Sequence, residues 1–216
     1  MKITTLDQLL EDELKDIYSA EHQLLKALPR MAEAAESRDL RDSFEKHLDQ
    51  TQAHVQRIEE ICRDLNVEPS GKTCAGMGGL IREGQEVIES DMETEPKQAA
   101  LIGAAQRVEH YEIAAYGTAR AHARQLGYVK AFDVLTQTLN EEKETDQQLT
   151  RFAENRANVK AAMGSGSVAG YASPRGKKGG GQWLDPCLKT GGWSSCAACW
   201  RSCLAYPRSF GPVSHG

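Results

Sequence analysis

The chain has 216 residues, of which 40% are hydrophobic, and a formal net charge of −5. That length and composition suit one globular domain with a tail, or one domain with a small second module. Acids outnumber bases in residues 1–163, whereas residues 164–216 carry six bases and a single acid. An acidic body does not suit nucleic-acid binding, which needs clustered Lys and Arg, so we expect no nucleic-acid partner.

The sequence predicts a cytoplasmic protein without membrane contacts. Its apolar runs fall well short of the roughly eighteen residues that a membrane span requires, and the N-terminus becomes polar too soon for a signal peptide. Cys62 and Cys74 are too few for a disulfide scaffold in the body of the chain.

Two long amphipathic helices are predicted in the first third of the chain. Thr5 and Gln8 form a capping-box pattern, and apolar residues recur at helical spacing to about residue 35. Pro29 should bend this helix or remove one of its hydrogen bonds. A polar joint at residues 37–39 leads into a second helix that ends near Leu65, and so short a joint forces an antiparallel hairpin.

The middle of the chain is a long connection that contains one short helix. Residues 66–79 have loop composition, residues 80–91 are amphipathic, and residues 92–96 break the pattern. A third long helix follows over residues 97–126, with Gly127 as its cap, and a fourth runs from about 128 to 159. The pattern predicts an all-α four-helix bundle over residues 1–163.

Acidic residues fall on faces of these helices that should be buried. Glu109 and Glu112 lie in an apolar stripe of the third helix, and Glu21 lies on the apolar side of the first. Glu142 and Asp146 take consecutive positions of an otherwise apolar seam in the fourth helix. Because unpaired carboxylates are costly to bury, each needs a neighbouring Arg or Lys, a bound metal, or an edge position that stays in solvent.

The spacing of the polar residues places them at one level of the bundle. In each hairpin, 33 residues separate two polar groups, from Glu21 to His54 and from Glu109 to Glu142, with the turn near the midpoint. At about 1.5 Å per residue the chain returns to the level it left. Six residues should therefore meet in one layer, with Gln50 and His47 within a turn of it: Glu21, His54, Glu109, Glu112, Glu142 and Asp146. Such an oxygen-rich set with an imidazole suits two iron or manganese ions.

Four stretches of the chain resemble one protein family. Residues 16–29, 47–54, 104–117 and 139–146 are similar to the YciE/YciF family of ferritin-like stress-response proteins, most specifically in the run Val-Glu-His-Tyr-Glu-Ile-Ala-Ala-Tyr-Gly at 108–117. The resemblance covers about residues 3–160. It implies a ferritin-like, rubrerythrin-like four-helix bundle, a homodimer, and a candidate di-metal centre with no established reaction and no known redox partner.

The resemblance also implies a ligand set for two Fe or Mn ions. Glu21, Glu109, Glu112 and Glu142 stand where the family has its acids, and Glu109 and Glu112 resemble the third-helix ligands of rubrerythrins. Gln50 is a departure, since the family usually has Glu there. An amide is a poorer ligand, so one metal position is expected to be weak unless His54 substitutes. Asp146 stands where rubrerythrins offer a nearby His.

Two functional hypotheses follow. In the first, a di-iron or di-manganese centre serves oxygen- or peroxide-linked stress protection, with Glu142 and another carboxylate as bridges and Tyr18, Tyr111 or Tyr116 as a candidate electron donor. In the second, the acids are locked in hydrogen bonds and salt bridges, and the bundle is a metal-free dimeric scaffold. An iron-storage cage is disfavoured, because the family is not known for a ferritin shell.

The tail, residues 164–216, is rich in Gly, Cys and Trp and lies beyond the resemblance. Its four cysteines can be read as a zinc or iron–sulfur site: Cys187, Cys196, Cys199 and Cys203. With a single Cys-x-x-Cys and few apolar residues, a disordered or aberrant extension is favoured.

Overall fold

Residues 2–164 are described by the computed structural model, and they form a bundle of helices. In chain order the elements are α1 (Leu6–Ala34), α2 (Arg38–Asp64), α3 (Ala75–Glu89), α4 (Thr94–Leu126), α5 (Val129–Phe152), a π-helical turn (Ala153–Ala157) and α6 (Asn158–Met163). The all-α bundle predicted from the sequence is confirmed. The predictions for the tail, including its cysteine site, lie outside the described residues.

The four long helices pair as two hairpins. α1 packs against α2, and α4 packs against α5. The hairpins meet through contacts of α1 with α4 and of α2 with α5, while α3, in the long connection, lies against α1 and α4. None of the described helices is both long enough and apolar enough to cross a membrane.

Local sequence signals set the ends of the helices. Thr5 Oγ1 accepts a hydrogen bond from the Gln8 amide at 3.3 Å and so caps α1. α1 continues through Pro29 without interruption. α4 begins before Pro96, which lies in the first turn, where its missing N–H costs nothing. Gly127 ends α4 at φ 76°, a left-handed conformation that favours glycine.

The short helix α3 begins five residues before the start predicted from the sequence. Cys74 caps it, because its Sγ accepts a hydrogen bond from the Met77 amide at 3.3 Å. Three of the four glycines that gave this stretch its loop composition lie inside the helix: Gly76, Gly78 and Gly79. A Cβ on Gly76 would stand 2.7 Å from a ring carbon of Tyr111, so the missing side chain lets α3 approach α4 closely.

The fourth long helix also differs from its prediction. It ends at Phe152, and a π-helical turn joins it to α6. The side-chain amide of Asn155 donates to the Arg151 carbonyl at 2.9 Å, which is the acceptor that the Asn155 backbone would use in an α-helix. This competition favours the change of register at that point.

Buried side chains form two apolar layers. The first apolar layer lies towards the α1–α2 turn and includes Leu24, Leu28, Met31, Phe44, Leu101 and Leu149. The second apolar layer lies towards the α4–α5 turn and includes Leu10, Leu14, Ile17, Ile58, Leu135 and Leu139. Between the two, each long helix places buried polar residues at the same level.

Candidate metal centre

Six buried polar side chains occupy the level between the apolar layers. We call them the buried cluster: Glu21 from α1, His47 and His54 from α2, Glu109 and Glu112 from α4, and Glu142 from α5. Each is at most 3% exposed. They come together because the residues that flank them along each helix face one of the apolar layers.

The buried cluster contains two groups of possible metal ligands. In the first group, one ligand atom from each of His47, Glu109, Glu112 and Glu142 lies within 4.8 Å of the others. Glu21, His54 and Glu142 form the second group by the same measure. Glu142 belongs to both groups, so its carboxylate is the one side chain that the two groups share.

His54 is held on both sides of its ring. Its Nδ1 lies 2.9 Å from Glu142 Oε1 and 3.4 Å from Glu21 Oε1, so this nitrogen faces the buried cluster. Its Nε2 lies 2.8 Å from Glu141 Oε2, on the other side. Arg57 donates two N–H bonds to that carboxylate, at 2.7 and 3.0 Å. A carboxylate behind a histidine fixes its ring and tautomer, as around many metal sites.

These contacts decide the charge of His54. Burial alone would lower the pKa of His54, but its contacts with Glu142 and Glu21 raise it to about 10. Burial likewise opposes ionisation of Glu141, yet the bonds from Arg57 and His54 lower the pKa of that carboxyl to about 2. Without a metal, this side of the cluster therefore contains an imidazolium between carboxylates.

The other side of the buried cluster is short of positive charge. Burial, with repulsion from Glu142, raises the pKa of Glu109 and Glu112 well above the ordinary value. Neither oxygen of Glu112 has a hydrogen-bond partner among the described residues. His47 Nε2 lies 3.3 Å from Glu109 Oε1, but burial lowers the pKa of His47 and favours its neutral form. A neutral imidazole can bind a metal but cannot neutralise a carboxylate.

Tyr116 is the tyrosine that contacts the cluster most directly. Its phenol donates a hydrogen bond to Glu21, and its side chain is 1% exposed. Tyr18 and Tyr111, the other two candidate electron donors, hydrogen-bond to carboxylates outside the cluster. Those acceptors are Glu59 at 3.0 Å and Asp16 at 2.6 Å.

Five of the seven ligands predicted from the sequence lie in the buried cluster: Glu21, His54, Glu109, Glu112 and Glu142. Asp146 lies beside it, partly exposed, where it accepts from Gln106 at 3.1 Å and lies 3.3 Å from His110 Nε2. The reason is that α5 turns Thr145 inward instead. Gln50 is half-buried and is not a member of either group of possible metal ligands.

Sequence reasoning placed His47 within a turn of the layer but not among the ligands. It precedes His54 by seven residues, which is two helical turns and the same face, and that spacing could have identified it. The Arg57–Glu141 pair was also missed. Nothing in the sequence shows that Glu141, rather than a solvent molecule, stands behind the His54 ring.

Comparisons with known proteins support the bundle and the family. The family model described as "Domain of unknown function (DUF892)" matches residues 5–162. Protein YciF of Escherichia coli K12 is 45% identical over 162 residues, which are 74% of this chain and 98% of YciF.

Solved structures give the same result. The crystal structure of the E. coli stress protein YciF has a TM-score of 0.70 and 44% identity, and the match covers 72% of this chain and 99% of that one. YcfI from Rhodopseudomonas palustris has a TM-score of 0.67 and 42% identity over 69% of this chain and 95% of its own. The YciE/YciF resemblance is thus confirmed, and the chain belongs to the family of YciF-like proteins that the DUF892 domain defines.

Proposed function

We propose that this member of the YciF-like family binds two divalent ions, iron or manganese, in the buried cluster and serves in protection against oxidative stress. The observation that carries the proposal is the set of four buried carboxylates with two imidazoles in one layer, in which Glu112 has no hydrogen-bond partner among the described residues. Buried acids without partners are costly, and a bound cation removes that cost.

Charge balance favours two ions over one. Four ionised carboxylates carry four negative charges, which two divalent cations neutralise. One ion would be held by the first ligand group, His47, Glu109 and Glu112, and the other by Glu21 and His54, with Glu142 between them. Mixed carboxylate and imidazole ligands suit iron and manganese. Such a pair, when bound, supplies Lewis acidity and one-electron redox capacity.

The residues around the ligands would control the chemistry. Glu141 and Arg57 hold the His54 ring so that Nδ1 faces the cluster. Tyr116 holds a proton at the Glu21 carboxylate. The two apolar layers exclude bulk water above and below, which strengthens every electrostatic interaction inside.

Metal content is the direct test. We would purify the full chain without chelator, measure iron and manganese by mass spectrometry, and titrate metal-free protein with Fe²⁺ and Mn²⁺ under nitrogen. About two ions per chain are expected, with loss of binding in a Glu109→Ala/Glu142→Ala double variant. Glu144→Ala, on the exposed face of α5, is the matched control.

A metal-free scaffold is the second candidate, and one observation favours it. The His54 imidazolium already gives Glu21 and Glu142 a positive partner, so half of the cluster is compensated without an ion. Stoichiometry near zero, together with a melting temperature that added metal does not change, would support this candidate and reject the first.

A further inference from the structure

An apolar pocket lies beside the buried cluster, between α1, α3 and α4, with Phe44 of α2 on one side. Its volume is about 40 Å³, and all but three of its lining residues are apolar. Representative members of the lining are Leu24, Leu28, Ile81, Gly84, Ala105 and Val108.

The three polar residues of the lining show how the pocket is oriented. Arg30 is exposed and Gln85 is half-buried, so both belong to the outer side. Glu109, in contrast, is 2% exposed and is a member of the buried cluster. The pocket therefore extends from the surface beside α3 towards the cluster.

Size and lining decide which molecules suit this pocket. Its 40 Å³ exceed the roughly 10–15 Å³ that one water-sized molecule needs, but fall far below the roughly 300 Å³ of the smallest sites for organic ligands. A stable buried water also needs about two to four polar partners, which an apolar lining does not supply. Small apolar molecules remain.

We propose that this pocket binds a small apolar molecule of the size of dioxygen and delivers it to the cluster at Glu109. Binding in the pocket follows from its lining alone. Delivery to a metal rests on the function proposed above. No covalent step is part of this proposal, and the role of the pocket is to admit an apolar oxidant while the apolar layers keep bulk water away.

Gly84 offers a way to fill the pocket. A Cβ added there would lie 3.8 Å from Met31 Sδ and 3.9 Å from Ala104 Cβ, which are ordinary contact distances. Gly84→Leu should therefore fold and place its branched end in the pocket. Gly79→Leu is the matched control, because Gly79 is on the same helix, outside the lining, and its added Cβ would approach only Arg82, at 3.9 Å.

Xenon is the probe for the first experiment, since it enters apolar cavities and needs no metal. Metal-free crystals under xenon pressure should show a xenon peak among Leu24, Gly84 and Val108. The peak should persist in Gly79→Leu and disappear in Gly84→Leu. No peak in the wild type, or an equal peak in Gly84→Leu, would overturn the binding site. If circular dichroism shows that Gly84→Leu does not fold, Gly84→Ala replaces it, and reduced xenon occupancy is then expected.

A second experiment separates the pocket from the metal site. Fe²⁺ is titrated anaerobically into each variant, and its oxidation is then followed after mixing with dissolved O₂. Gly84→Leu should bind Fe²⁺ like the wild type but oxidise it at least about tenfold more slowly. If the wild type does not bind Fe²⁺, the proposed function is rejected, but the xenon result is unaffected. Equal oxidation rates in both variants, with intact binding, would reject delivery through the pocket.

Discussion

The polar layer and the two apolar layers of this bundle are built from the same four helices but have opposite energetics. Each apolar layer buries side chains whose transfer out of water is favourable and stabilises the fold. The polar layer buries four carboxylates, and Arg57 contacts Glu141, behind the His54 ring, instead of these four acids. The comparison teaches that the apolar layers stabilise the fold, whereas the polar layer has the cost of buried carboxylates, which a bound cation would remove.

The largest expected effect comes from an apolar layer. Leu135 is fully buried in the second apolar layer, so Leu135→Ala should lower the free energy of unfolding by about 2–5 kcal/mol through lost burial and a cavity. Because Leu135 stands seven residues, about two helical turns, before Glu142 on α5, the loss should be the same with and without metal. Urea unfolding of both forms measures it, and a loss confined to the metal-bound form would contradict the separation of the layers.

The same measurement in the polar layer should give the opposite sign. Glu112→Leu replaces a buried carboxyl that has no hydrogen-bond partner among the described residues. The free energy of unfolding of the metal-free protein should therefore rise by about 1–3 kcal/mol. The variant should also lose most of the stabilisation that added Fe²⁺ or Mn²⁺ gives to the wild type. Glu144→Leu, on the exposed face, should change stability by less than about 0.5 kcal/mol. If Glu112→Leu destabilises the metal-free protein instead, the polar layer is not a cost to the fold.

A smaller effect is expected behind His54. Glu141→Gln removes the negative charge that orients the His54 ring, and changes of this kind lower metal affinity on the order of 10–100-fold. Arg57→Lys keeps the positive charge but loses the bidentate hydrogen bond to Glu141, so its loss of metal affinity should be smaller than that of Glu141→Gln. Calorimetric titration with Mn²⁺ measures both. Wild-type affinity in Glu141→Gln would show that His54 needs no support from Glu141 to bind the ion.

The smallest effect is a pH dependence of the metal-free protein. The pKa of His54 is raised to about 10 in the fold, from an ordinary value of about 6.5. Its contribution to stability is thus fully present below about pH 6.5 and is lost as the pH rises through about 10. Melting temperatures between about pH 6 and pH 10.5 should fall in the wild type and change less in His54→Gln. Equal slopes would show that another group titrates.

Much of this contrast could be predicted from the sequence. That Glu21 lies level with His54, and Glu109 with Glu142, followed from their separation in sequence, the rise of a helix and the position of each turn. The position of Asp146 was harder to predict, because steps of three and of four residues both keep a seam buried. After Glu142 the step is three residues, so Thr145 is buried and Asp146 is not. The support for His54 could not be predicted, since the approach of Glu141 and Arg57 depends on how α2 and α5 are rotated towards each other.

Anomalous scattering from crystals of the full chain, grown with Fe²⁺ or Mn²⁺ and measured at the absorption edge of each metal, tests the central claim most directly. We predict two peaks between the apolar layers, one beside His47, Glu109 and Glu112, the other beside Glu21 and His54, with Glu142 in contact with both. Diffraction with no peak at this level, or with metal bound only outside the bundle, would contradict the account.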